Sequence, residues 1–509
     1  MSKADLDRII AKKRTDIYAY FILGIGLFFR IFRIGSLTEF LGDQGRTMLI
    51  LSRWFHEGVV PQVGPSVLTG QYLGPIFYYL MFPGFVLFHG DPTGQAIWMV
   101  LFATGAMALL YIIVRDLWGI RPARAVTLLW AVAPMIVTND RIVWEPNLIP
   151  FFGFLYLLSL IRSHRGKSWL APLLHGGAIG ILVQLHYPNI FFAGLTVLYA
   201  FGAVLLRRKT IRCLAVFASL VLLGALVTML PFLAHEASSG FADIRGIASI
   251  MAASGKAGHP RRLEYIVRGM RFVAFALGRI LPEVNMYAVA VGMVATGVMW
   301  LKKRSLAAMF ILIWLGLGAL AMSAYTGVVE GHYLTFLLPA GAVWIAFLLH
   351  EIDGRKTRRV VYAACAALAV IQLLRSDVFI LGHNDIARIW HTTDMLIARA
   401  GNRPFSFTII HGRSYSDLHY RYMFSLRGIT PAAITSAEYD RLYLICDDAS
   451  CPGTMDLFKR PDVTALCYEP HCTGLYPTIS LADHWLYTGD VHVAEGQLPL
   501  SVVLDYRRK

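Results

Sequence analysis

Charge is scarce in this chain. Of 509 residues only 16% are Asp, Glu, Lys or Arg, whereas 56% are hydrophobic. A soluble chain of this length carries about a quarter charged residues, so an ordinary soluble enzyme is excluded. Acid is the scarcer sign, 32 residues against 47 Lys and Arg. Excess base can point to nucleic acid. Here the basic residues sit in turns between apolar runs, with no nucleic-acid motif and no basic stripe interleaved with aromatics, so nucleic acid is not an expected partner. The first apolar run lacks a small-residue cleavage site, which argues against a cleaved signal peptide. No clear internal repeat appears, unlike many transporters. No paired-histidine motif or carboxylate triad appears either, so neither a metal nor another cofactor is expected. Cysteine is also rare, at six residues. Cys213 and Cys365 fall in apolar runs. Cys446, Cys451, Cys467 and Cys472 fall in the polar tail as two C-x4-C units, loose for zinc but suited to disulfides in an oxidising compartment, with three possible pairings.

What the chain has instead is a succession of apolar runs near the length of a membrane span, separated by basic turns. The turns rich in Lys and Arg alternate with turns nearly free of them. Arg115, Arg121 and Arg124 mark one basic turn; Arg207, Arg208, Lys209 and Arg212 mark another. Gln184–Asn189 and Thr326–Tyr333 contain neither residue. The positive-inside rule then puts the N-terminus inside. Parity requires that Tyr72–Phe88 not span, and its Gly74, Pro75, Pro83 and Gly84 suit an irregular juxtamembrane or re-entrant helix. Arg261–Leu281, with five arginines, reads as a basic amphipathic helix on the outer surface. The expected fold is a polytopic α-helical membrane protein, N-in and C-out, with eleven spans near 17–34, 95–114, 124–138, 148–161, 170–185, 189–206, 213–232, 285–301, 306–323, 333–350 and 360–376. Residues 1–376 form the membrane domain, with an outer loop at 35–94. Residues 377–509 turn polar, with β-like runs at Phe405–Ile410, Arg441–Ile445 and Leu500–Leu504, and read as a small outer α/β domain.

The polar residues of the membrane part collect at one face. Asp43 and Arg46 lie in the first outer loop. Asp140, Arg141 and Glu145 lie in the next outer turn, followed by His186 and Tyr187, then His235 and Glu236, then His332 and Tyr333. Ionisable groups at one membrane depth are costly without a role, so a site is expected there. Each residue also has a plainer reading. Asp43 suits a turn or helix cap, and Glu236 suits a cap. Arg141 suits a pair with Asp140 or Glu145. Tyr187 and Tyr333 suit interfacial anchors. Tyr78 suits interfacial packing as well as a groove for a lipid chain.

The segments DQGR at 43–46, GPIFYYL at 74–80, RIVWEPNLIP at 141–150, QLHY at 184–187 and HYLTFLLP at 332–339, in this order and spacing, resemble bacterial glycosyltransferases of the GT-C type. Related to these are the protein O-mannosyltransferases and the lipid A aminoarabinose transferases. The resemblance runs from about residue 17 to residue 350. It implies a GT-C fold and an inverting transfer of a sugar from a polyprenyl-phosphate donor to a hydroxyl of a cell-envelope glycan, lipid or protein, without a catalytic metal, on the outer side of the inner membrane. It implies that Asp43 is the catalytic base. Many relatives follow this acid with Glu, where this chain has Gln44.

The chemistry fits these residues. An inverting transfer needs one base for the acceptor proton, and the leaving lipid phosphate needs positive charge. Arg46, Arg141 and His332 are the candidates for the phosphate. Glu145, His186, Tyr187, Glu236, Tyr333 and Tyr78 are the candidates for the sugar or its surroundings. A flippase for lipid-linked sugars and a non-catalytic membrane sensor are the competing readings.

Overall fold

The computed structural model describes residues 16–67, 70–166, 168–205, 210–256, 262–380, 382–414, 416–434, 438–447, 462–464, 478–480, 485–495 and 498–508. Most of the chain is helical. Among the described residues each of the eleven apolar runs is mainly helical. Among the described residues seven helical segments are long and apolar enough to cross a membrane: Pro92–Trp118, Glu145–His164, Tyr187–Leu205, Ile211–Ser238, Leu306–Ala324, Gly331–His350 and Arg355–Phe379. Ile17–Ile31 and Leu170–Leu185 are shorter apolar helices. Side chains that face lipid stay apolar without packing partners, which is why Ile211–Ser238 is almost wholly exposed while Gly331–His350 is mostly buried within the bundle.

The segment expected not to span, Tyr72–Phe88, holds a short helix. Ile76–Leu87 contains Pro83 and has 12 residues, about 18 Å of helix, well below a bilayer core of about 30 Å. The basic segment differs from expectation. Helix Arg262–Gly278 does not lie only on the surface. It packs against Met286–Lys303, Leu306–Ala324 and Leu338–His350, burying Val273, Ala274, Ala276 and Leu277. Those apolar residues outweigh the arginines in deciding its position.

A buried ion pair from Arg30 and a hydrogen bond from Arg141 tie the first helix to the rest. The Arg30 Nε donates to Asp140 Oδ2 at 2.8 Å, while its Nη1 donates to the carbonyls of Gly26 and Ala131. Arg141 follows the same pattern, as described below.

The C-terminal part carries a four-stranded sheet. In chain order the strands are β1 (Phe405–Gly412), β2 (Arg441–Asp447), β3 (Asp462–Thr464), β4 (Thr478–Ser480), β5 (Trp485–Glu495) and β6 (Leu498–Arg508). The main sheet runs β1-β2-β6-β5, and β3 pairs with β4 separately. Strands β1 and β2 are parallel; β2–β6 and β5–β6 are antiparallel. All three β-like runs read from the sequence are strands. Cys446, in β2, is disulfide-bonded, whereas Cys213 and Cys365 are free thiols. Cys451, Cys467 and Cys472 lie outside the described residues.

Helix Leu418–Ser425 of this region lies on helix Gly42–Glu57 of the membrane part. The contact is close because Gly42 and Gly45 have no side chain. A Cβ on Gly45 would sit 2.3 Å from the His419 backbone nitrogen.

Candidate active site

Asp43 occupies the first turn of helix Gly42–Glu57. The Gln44 side chain reaches back to accept from the Leu41 backbone N–H at 3.0 Å, completing the first turn. Gln44 therefore has a capping role. The helix N-terminus favours negative charge, which suits a carboxylate there. Arg46, one turn on, donates to Asp43 Oδ1 at 2.7 Å. The pair is only partly wet, with the Asp43 side chain 23% and the Arg46 side chain 9% exposed.

Three 3-10 turns bring the other residues to this pair. Glu145–Leu148, Tyr187–Asn189 and Gly331–Leu337 each begin a long apolar segment, and they pack on one another. Pro146 and Pro188, near the start of the first two, fix a backbone angle compatible with a tight turn. Glu145 is buried and feels the charges of Asp43 and Arg46. His332 feels the charges of Asp43 and Arg279. Its ring lies 4.7 Å from Trp144, 5.2 Å from His186 and 4.6 Å from Tyr333. Asp43, Arg46, Glu145, His186, His332 and Tyr333 therefore form one cluster.

The sequence reading missed Arg279. It follows the helix Arg262–Gly278 and is turned inward, donating to the Gly331 carbonyl at 3.0 Å and to Thr335 Oγ1 at 3.3 Å. In the sequence it is one of five arginines of the basic amphipathic segment Arg261–Leu281; only packing separates it from the others.

Arg141 is a correction. It is wholly buried, its Nη2 donating to the Phe29 carbonyl at 2.9 Å and its Nη1 lying 3.5 Å from Asp377. It cross-links the first helix to the end of Arg355–Phe379, so its guanidinium is already engaged there and is not offered to a donor phosphate. Its partner is neither Asp140 nor Glu145; Asp140 is engaged by Arg30.

Glu236 and Tyr187 belong to a neighbouring cluster. Glu236 Oε2 accepts from the Ile244 N–H at 3.2 Å, the capping role weighed from the sequence. Asp243 Oδ1 accepts from the Tyr72 N–H, and the Tyr187 hydroxyl donates to the Tyr72 carbonyl. Together they pin the strand-like loop before helix Ile76–Leu87. The ligand atoms of His235, Glu236 and Asp243 lie within 4.8 Å of one another, close enough to share a metal ion. Tyr78 is buried in the core beside Phe77, and Tyr79 donates to the Pro61 carbonyl at 2.8 Å. An apolar cavity of about 330 Å³ lies at the opposite ends of the same helices, between Trp118, Leu160, Leu198, Phe310 and Trp314.

Glu39, four residues before Asp43 in the preceding loop, is a further acid near the pair. Burial raises its pKa; Arg413 opposes this, while Asp385 and Asp43 add to it.

No family model matches the sequence and no curated protein matches it. Solved structures do. The crystal structure of ArnT from Cupriavidus metallidurans bound to undecaprenyl phosphate is 14% identical, with a TM-score of 0.59 over 96% of this chain and 97% of that chain. The apo state of the same protein is 13% identical, with a TM-score of 0.55 over 94% and 95%. The fold is GT-C. The similarity runs through both the apolar helices and the C-terminal region, so the GT-C likeness extends well beyond residue 350, where the sequence resemblance ended. With its apolar helices, this makes the chain a multi-pass membrane protein.

Proposed function

We propose that this protein is an inverting glycosyltransferase that moves a sugar from a polyprenyl-phosphate donor to an acceptor hydroxyl. The observation that carries the reading is the Asp43–Arg46 pair at 2.7 Å, set at a helix N-terminus among Glu145, His332 and Arg279. The GT-C neighbour bound to undecaprenyl phosphate supports this donor class.

The reaction needs two things from the chain. Asp43 takes the proton of the acceptor hydroxyl as its oxygen attacks the anomeric carbon. The bond from that carbon to the phosphate oxygen breaks on the opposite face, and the configuration inverts. The electrons of the broken bond stay on the polyprenyl phosphate. Arg46 and Arg279 supply positive charge for that anion, with His332 beside them. Arg46 exchanges its contact with Asp43 for the phosphate as the donor binds. Glu145, His186 and Tyr333 line the sugar. The acceptor is a glycan, lipid or protein of the cell envelope, and the site opens to the outer, periplasmic side of the inner membrane.

The test compares envelope glycans from strains that express wild-type protein or Asp43→Asn at equal membrane levels. Mass spectrometry is expected to show loss of one defined sugar and accumulation of its lipid-linked donor. Unchanged glycans would leave Asp43 a capping residue and favour a flippase or sensor.

A further inference from the structure

The loop that delivers Asp43 is held by the C-terminal region through one arginine. Arg413 follows β1. Its guanidinium lies 3.3 Å from Glu39 Oε2 and 3.0 Å from Asp385 Oδ1. Asp385 is 1% exposed and also takes Arg388 at 3.1 Å and the Phe40 N–H at 3.3 Å. Next to Arg413, Ser414 Oγ accepts from the Gly42 N–H at 3.0 Å, one residue before Asp43. A segment about 370 residues downstream in sequence thus fixes both ends of the loop 39–42.

The electrostatics matter more than the tether. Glu39 lies close enough to Asp43 for the Asp43 charge to act on its carboxylate. The other groups facing Asp43 are Arg46, Glu145 and His332. The helix packed across it brings His419 and Arg421, with Asp417 bound to Arg421 at 2.8 Å. Carboxylates crowd this mouth, and an anionic phosphate must enter it. Arg413 is the cation that meets Glu39 directly.

We propose that Arg413 is a positioning residue for the donor: by bridging Glu39 and Asp385 it cancels the Glu39 charge beside Asp43 and so lets a polyprenyl phosphate approach. This rests on the reading of the site as one for a polyprenyl-phosphate donor. Arg413 need not touch the donor. It acts through Glu39, and removing it exposes the phosphate to an unpaired negative charge.

The probe is undecaprenyl phosphate, titrated against the purified full chain in nanodiscs. Arg413→Gln is expected to weaken binding about two- to fivefold, the range of a partly exposed ion pair. Arg413→Lys keeps most of the affinity. Adding Glu39→Gln to Arg413→Gln restores it, because the offending charge is gone. Raising salt from about 0.05 M to about 0.5 M narrows the gap between wild type and Arg413→Gln, since partly exposed charges are screened. A merely structural arginine would show neither the rescue nor the salt response, and their absence overturns the proposal. Should Arg413→Gln fail to insert, Glu39→Gln alone decides: affinity at or above wild type supports the proposal, and a loss like that expected for Arg413→Gln refutes it. Wild-type protein that binds no undecaprenyl phosphate sinks the donor reading itself, a different result from a wild type that binds and a variant that binds equally.

Discussion

Gly45→Ala tests whether the C-terminal region is seated on the Asp43 helix as described. In an isolated helix this change helps, since Gly is worse than Ala by roughly 1 kcal/mol. Here the new Cβ would lie 2.3 Å from the His419 nitrogen, 2.4 Å from its Cα and 2.5 Å from the Leu418 carbonyl carbon. Carbon contacts settle near 3.5–4.0 Å, so the two helices must part by about 1 Å or more. Backbone cannot swing aside as a flexible side chain does. Overpacking of this kind costs roughly 1–3 kcal/mol, and the clash outweighs the gain in helix propensity. Separation also pulls on the bond from Gly42 to Ser414. The assay is thermal unfolding of the purified protein together with envelope-glycan mass spectrometry. A Tm lower by a few degrees and a reduced product are expected. The control is Gly24→Ala, where nothing lies within 4 Å of the new Cβ, expected at or slightly above wild-type stability. A Gly45→Ala protein as stable and active as wild type would refute the docking.

Acidification should loosen the same contact. His419 is fully buried, and burial together with nearby Arg388 pushes its pKa down to about 3. The unfolded chain binds a proton near 6.5 that the folded chain refuses, so stability is full above that pH and declines below it, by about 2 kcal/mol at pH 5. Burial raises the pKa of Asp417, which works in the opposite direction; comparing unfolding of wild type and His419→Gln between pH 7 and 5 isolates the histidine, and equal slopes would refute its role. In the outer turn before Glu145, Asp140→Asn removes the carboxylate that neutralises Arg30, whose guanidinium stays charged and fully buried with only neutral acceptors, the Gly26 and Ala131 carbonyls among them. A loss of roughly 3–5 kcal/mol is expected, seen as poor membrane yield and a lower Tm, with recovery when Arg30→Met is added; no recovery would assign the loss to something other than the stranded charge.

What the sequence determined by itself is set by local pattern. Long apolar runs with alternating basic turns can satisfy their backbone in lipid only as helices, so the helical runs, the short helix with Pro83 and the three strands were all readable in order. Asp43 and the convergence of Glu145, His186, His332 and Tyr333 were readable too, because residues that start successive spans on one side must share a face. Only the tertiary structure decided among the arginines. Arg141 and Arg279 look alike in sequence, yet Arg141 turns back to Phe29 and Asp377 while Arg279 turns in toward Gly331 and His332. A guanidinium on a long flexible stem goes where a partner remains, and that partner is chosen by packing, not by spacing. Glu39 and Arg413 were invisible for a related reason: they meet across 374 positions, a distance over which no periodicity or motif carries information, and only the seating of one helix on two glycines brings them together.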